Sequence, residues 1–280
     1  MIEPEYLYHY TSLDTLALIL ETRTLRFNNL MYVDDMEEAE TADMGLFGRY
    51  VLVSCWTEEE NESISLWNLY TPNMHGVRIK MPMFPFKKHF YPKGKFFLTE
   101  NIVTYIDLEK IYEENRATIV STAPQAVCVE YTDDKSKLFP LVRNVDFPSI
   151  LEEYLQAKDL HEVKGNFTIN YSFEDIGRYK RKIWAFQKEW RYIITLIPMG
   201  LKDSNPPSLA KQQEIIRRLE NREQEVPYKQ LFLELSDEAI QQIEILFRPR
   251  MTDAEKILAK ALLEKHGLHN RWKESSLHIR

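Results

Sequence analysis

Tyr6-Leu-Tyr-His-Tyr-Thr-Ser12 is followed without a break by Leu13-Asp-Thr-Leu-Ala-Leu-Ile-Leu20. Residues 6–10 are aromatic and read as extended, whereas Leu13, Leu16, Ala17 and Leu20 share one face of a helix over Leu13–Glu21. Thr11 with Asp14 fits an N-terminal capping signature. A strand feeding straight into a helix predicts a mixed α and β architecture. It also carries His9, with the hydroxyls of Tyr10 and Thr11, to the start of a helix, where side chains and free backbone N–H groups can jointly hold a ligand. His9 is therefore the first candidate functional residue, against the commoner alternative of a structurally satisfied histidine.

Working outward, Leu25–Asp35 reads as a strand and polar turn, and Met36–Met44 as an acidic helix. Tyr50–Trp56 (YVLVSCW) is a β-branched and aromatic run expected to be a buried strand. A polar loop over Glu58–Ser63 then leads to a short aromatic helix, Ile64–Tyr70, and a strand over Gly76–Met81. Segments 95–106, 126–131 and 168–172 read as strands, and 107–118 and 148–162 as helices. Ile176–Phe186 is basic, aromatic and helix-like, and Glu189–Ile197 is an apolar strand. Pro198–Pro207 reads as a loop before a charged helix over Leu209–Gln224, suited to a flap or an interaction surface but more commonly a solvated helix. The chain closes with strand Leu231–Leu235, helix Asp237–Gln242, strand Ile243–Phe247 and helix Thr252–His266, capped by Gly267. With no internal repeat and no clear linker, one α+β domain over residues 1–280 is expected, carrying a charged loop-helix insertion at 198–230.

Composition narrows the function. A chain of 280 residues, 44% hydrophobic and 12% aromatic, can bury a substantial core. The 36 Lys and Arg against 43 Asp and Glu give a net charge of −7, which disfavours nonspecific nucleic-acid binding. The two cysteines, Cys55 and Cys128, are spaced for neither a disulfide framework nor a metal site, and a reducing cytoplasm is expected. No signal-like segment and no apolar run near the roughly 20 residues of a bilayer span is present, so no membrane association is expected. The histidines and cysteines form no HExxH, CxxC or His-x-His pattern, so no metal is expected. Asp34, Asp35, Glu37, Glu38 and Glu40 could hold a hydrated cation, although acidic helix starts usually complement the dipole. There is no GxSxG elbow, phosphate loop or GxGxxG, and the chain has 8 glycines.

Two clusters remain as candidates. Gln187-Lys188-Glu189 opens an apolar strand, whose alternation would turn Gln187 and Glu189 to the same side. A carboxylate there could accept a hydrogen bond from a sugar hydroxyl and stabilise positive charge at an anomeric carbon. The competing reading is a surface pair between Glu189 and Arg191. Ser54, Cys55, Trp56 and Thr57, followed by Ser65, Trp67 and Tyr70, set hydroxyls beside aromatics. Such a set suits a nicotinamide or base, or simply fills a core.

The order of YHYTSLDTLALIL, FNNLMYVDDMEE, SCWTEEENESISLWNLYTPNMHGVRI, IWAFQKEWRYI and IQQIEILFRPRMTDAEKILAKALLEKHG resembles the bacterial domain-of-unknown-function family 2971 over nearly the whole chain. Asp34-Asp35 stands where that family has an Asn-Asp-Pro turn, and Arg248-Pro249-Arg250 where it has a Gly-Pro form. An early strand His, a hydroxyl and aromatic strand and a late Gln-x-Glu also resemble ADP-ribosyltransferase-fold proteins, including DarT-like toxins. This second resemblance implies a split, antiparallel-type sheet and NAD as substrate. It implies that His9 and Thr11 hold NAD, with Ser54 and Tyr70 flanking nicotinamide and Tyr10, Thr57 and Trp67 in the same binding set. Glu189 is then the catalytic glutamate, with Gln187 and His9 beside it and Gln187 helping to select the acceptor.

The implied reaction is cleavage of the nicotinamide glycosidic bond, with transfer of ADP-ribose to a protein, a nucleic acid or water. In a bacterial cytoplasm either outcome fits a toxin or a phage-defence effector, by analogy. The rival reading is a noncatalytic module binding a nucleotide or nucleic acid through Arg178, Tyr179, Lys180, Arg181, Lys182 and Trp184.

Overall fold

The computed structural model describes residues 3–71, 75–145, 169–203, 208–221 and 225–278. Its first half runs β1 (Tyr6–Thr11), α1 (Leu13–Thr22), β2 (Thr24–Asn29), β3 (Val51–Thr57), α2 (Ile64–Tyr70), β4 (Val77–Pro82), β5 (His89–Tyr91) and β6 (Ile102–Thr104). Next come α3 (Leu108–Glu114), β7 (Thr118–Ile119), β8 (Gln125–Cys128), β9 (Glu130–Thr132), α4 (Lys135–Leu138), β10 (Arg143–Val145), β11 (Ile169–Tyr171), β12 (Tyr179–Arg181) and β13 (Glu189–Ile197). The chain ends with α5 (Leu209–Glu220), β14 (Gln230–Glu234), α6 (Asp237–Gln241), β15 (Glu244–Phe247), α7 (Asp253–Lys265) and β16 (Trp272–Glu274). It is a mixed α and β fold with a largely antiparallel main sheet.

β3 organises that sheet. Every residue in it except Cys55 is buried, as its apolar run demands of a strand covered on both faces. Along one edge it pairs antiparallel with β13, from Glu189↔Thr57 to Thr195↔Val51. Its other edge is shared. β1 meets it only at Tyr8↔Thr57, while β2 meets it at Asn28↔Val53 and Asn29↔Leu52. The sheet therefore divides along β3, with β14 beyond β2 on one side and β4, β15 and β16 beyond β1 on the other. α1 spans the division, burying Leu16, Ile19 and Leu20 beneath it.

Several local expectations are corrected. The cap of α1 is Ser12, whose Oγ accepts from the Thr15 N–H at 3.1 Å, because Thr11 is still paired with Val77 in β1. Residues 176–186 do not form one helix: Gly177 is left-handed at φ 79°, β12 then pairs parallel with β9, and only from Lys182 does a 3-10 helix follow, over Lys182–Gln187. The acidic helix expected over 36–44 is a single 3-10 turn, Met36–Ala39, because Glu38 is drawn inward. The helix expected over 107–118 stops at left-handed Asn115 (φ 48°), freeing Thr118–Ile119 to join β13. The strand expected over 95–106 shortens to β6, since positive φ at Gly94, Phe96 and Phe97 turns the chain first. The helix expected over 148–162 lies outside the described residues, as do parts of the 198–230 segment. No helix among the described residues is long and apolar enough to cross a membrane.

Candidate functional site

The division between β1 and β3 opens a pocket of about 70 Å³, lined by Tyr8, His9, Tyr10, Cys55, Trp56, Thr57, Leu66, Tyr70, Gln187 and Glu189. It exists because β1 leaves β3 immediately after the Tyr8↔Thr57 pair. Past that point the His9 ring fills the gap, with Nδ1 donating to the Cys55 carbonyl at 3.0 Å. A carbonyl only accepts, so this contact sets the neutral tautomer with the proton on Nδ1 and the lone pair on Nε2. Removal from water holds the His9 pKa down to about 4, outweighing the carbonyl contact, which favours protonation. Its ring lies 5.0 Å from that of Trp56.

Glu189 enters the pocket from the start of β13. Lys188 before it is left-handed at φ 43°, and its carbonyl accepts from the Thr57 Oγ1 and the Glu58 N–H, each at 3.2 Å. The Glu189 N–H donates to the Tyr131 hydroxyl at 2.8 Å. Gln187 lies on the 3-10 turn and not on the strand, so alternation along β13 does not explain why it sits beside Glu189. The link is Lys180 of β12, whose Nζ donates to Gln187 Oε1 at 2.8 Å and to Glu189 Oε2 at 3.1 Å. Gln187 Nε2 in turn donates to the Tyr70 hydroxyl at 2.5 Å, which leaves the phenol proton free to point elsewhere.

Behind the pocket lies an ionic quartet, with Arg191 and Lys180 set against Glu189 and Glu38. Arg191 is 1% exposed, Lys180 and Glu189 4%, and Glu38 7%. Arg191 Nε donates to Glu189 Oε1 at 2.6 Å, and its NH1 binds Glu38 and the Gly177 carbonyl. Glu38 Oε1 is 3.3 Å from Lys180 Nζ, an ion-pair distance without hydrogen-bond alignment. Glu189 and Arg191 are thus a pair, as one sequence reading has it, but a buried one. Charges this deep persist only when mutually neutralised, and two of each sign are present. Burial pushes the Glu189 carboxyl up, but Arg191 and Lys180 outweigh it and hold the group well below the usual carboxylate range. Of the four, Glu189 alone lines the pocket, which therefore meets the negative end of a neutral cluster.

The structure brings His9, Tyr10, Thr57, Tyr70, Gln187 and Glu189 together around one space. Three other sequence candidates sit elsewhere. Thr11 is buried in the β1–β4 ladder, and Ser54 accepts from Trp56 Nε1 at 3.1 Å. Trp67 is fully buried behind the pocket wall, edge-on to Tyr10 at 4.7 Å, donating to Glu62 Oε2 at 3.1 Å. Sequence reasoning missed the roles of Lys180, Arg191 and Glu38. Nothing in a basic or acidic run marks the single member that turns inward, although Arg191 within an apolar strand was a signal. The acidic run is not gathered into a cation site: Asp35 caps Glu37, Glu37 binds Arg181 and Glu38 binds Arg191. Among the described residues, no three His, Cys, Asp or Glu side chains are placed to share a metal ion.

No family model matches this chain, and neither a curated protein nor a solved structure matches it.

Proposed function

We propose that this protein cleaves the nicotinamide glycosidic bond of NAD and passes ADP-ribose to water or to a macromolecular acceptor. The observation that carries this reading is the convergence of His9, Tyr70, Gln187 and Glu189 on one aromatic-walled pocket where the sheet divides. Aromatic walls from Tyr8, Tyr10, Trp56 and Tyr70 suit a flat ring, while the Tyr70 phenol and His9 Nε2 offer a donor and an acceptor. The pocket volume of about 70 Å³ is less than half of the ~150 Å³ cavity that takes a benzene ring, so a nicotinamide ring would seat only partly in it, with the rest of the ligand lying across the mouth.

Glu189 suits the charge-stabilising role better than a proton-transfer role. A carboxylate offers about four acceptor sites. Arg191 and Lys180 use two, so acceptor capacity remains for a ribose hydroxyl. Held ionised, it presents negative charge as the sugar carbon becomes positive, which lowers the barrier without a proton changing hands. Gln187, tied between Lys180 and Tyr70, stands next to it, where an incoming acceptor would pass.

The binding-module reading is less well supported. Lys180 turns inward, Arg181 engages Glu37 and Lys182 lies 3.1 Å from Asp133, so the run loses most of the charge it would offer a phosphate backbone. Incubation with adenine-labelled NAD, with and without cell extract, tests the proposal. Label in free ADP-ribose indicates hydrolysis, and label in protein or nucleic acid indicates transfer. Label that stays in NAD under both conditions rejects the proposal.

A further inference from the structure

Lys180 contacts both Gln187 and Glu189, yet it does not itself line the pocket. Its side chain is 5% exposed, and its ammonium lies 4.7 Å from the centre of the Trp184 ring. Because an ammonium can only donate, the Gln187 oxygen must face Lys180 and the Gln187 NH₂ must face Tyr70. One cation thereby sets the direction of an amide and supports the charge of a carboxylate two residues further along the chain.

We infer that Lys180 is a positioning residue: it keeps Glu189 ionised on the pocket wall and aims Gln187 at Tyr70, without itself contacting substrate. This rests on Glu189 being the charge-stabilising group. The groups facing Glu189 are Arg191 on its own strand, Lys180 on β12, Glu38 on the 3-10 turn Met36–Ala39, Cys55 on β3, Tyr70 on α2 and Tyr131 on β9, with His9 across the pocket. Burial holds the Cys55, Tyr70 and Tyr131 groups well above their ordinary values, so none of them gains or loses charge near neutrality. Removing Lys180 leaves Glu189 and Glu38 to divide one guanidinium, and the Glu189 carboxyl then accepts a proton at higher pH.

The test compares wild type, Lys180→Met and the double variant Lys180→Met/Glu38→Gln, which restores one cation to one carboxylate. Nicotinamide release is followed against pH, and the Glu189 carboxyl is followed by carbon NMR of glutamate-labelled protein, a readout independent of turnover. The expected result is a Glu189 carboxyl titration in Lys180→Met displaced upward by about 1 pH unit or more and reversed in the double variant; because His9 takes up a proton near pH 4, the acid limb of nicotinamide release follows Glu189 only where the variant raises it past that point. The loss should fall on kcat more than on KM. Superimposable pH profiles and titrations overturn the inference. Should Lys180→Met fail to fold, Lys180→Gln takes its place: a Glu189 titration displaced upward supports the inference, and one superimposable on wild type overturns it. A wild type that releases no nicotinamide defeats the proposed reaction, while the NMR titration still decides whether Lys180 controls Glu189.

Discussion

His9 is held neutral in the fold, and this has a measurable cost in acid. Its pKa is about 4 in the folded protein, against an ordinary value of 6.5. The sign follows from where the proton goes. Below pH 6.5 the unfolded chain takes up a proton at this ring, but the folded chain does so only near pH 4, so stability falls across that interval and is fully present above it. At pH 5 the unfolded ring is almost wholly protonated and the folded ring almost wholly neutral, so His9 alone removes about 2 kcal/mol relative to pH 7. Urea unfolding at the two pH values measures this directly, with His9→Asn as the reference because its amide can still donate to the Cys55 carbonyl while lacking the titration. The contributions of the other six histidines cancel in the comparison. Wild type should lose about 2 kcal/mol more than the variant between pH 7 and pH 5. Equal losses would mean that the His9 ring is solvated enough to charge freely, and the neutral Nε2 acceptor would have to be abandoned.

Further outcomes follow from the same contacts. Glu38→Gln leaves two buried cations facing one carboxylate and should cost about 3–5 kcal/mol in urea or thermal unfolding, whereas a cost below about 1 kcal/mol would mean that water reaches the quartet. Gly76→Ala should destabilise by about 1–3 kcal/mol or more, because an added Cβ would lie 2.3 Å from the Thr11 carbonyl oxygen in the β1–β4 ladder; an unchanged unfolding midpoint would contradict that packing. Ser12→Ala should cost about 1 kcal/mol by removing the cap of α1, whereas Thr11→Val should leave the cap intact.

Much of the scaffold was legible because its signals are local. β1, α1, β3, α2 and β13 each carry a periodicity or a β-branched run strong enough to read alone. What was not legible depends on partners distant in sequence. The inward turn of Glu38 depends on Arg191, 153 residues away, and the parallel pairing of β12 depends on β9. Lys180 looked like part of a basic surface because the carboxylate that buries it is not visible from the residues beside it. Gln187 and Glu189 were expected together for the wrong geometric reason: they meet through a shared lysine, with the left-handed Lys188 turning the chain between them. Thr11, Ser54 and Trp67 have the right chemistry for a ligand site, but ladder pairing and indole hydrogen bonds already engage them.

The most direct measurement is NMR detection of nicotinamide released from NAD by wild type and by Glu189→Gln, each shown to be folded, with and without cell extract. The account predicts steady release by wild type and its loss in Glu189→Gln while NAD binding persists, because the charge on the pocket wall acts on the transition state more than on the bound substrate. Release that is undiminished in Glu189→Gln, or no release by folded wild type under either condition, would contradict it.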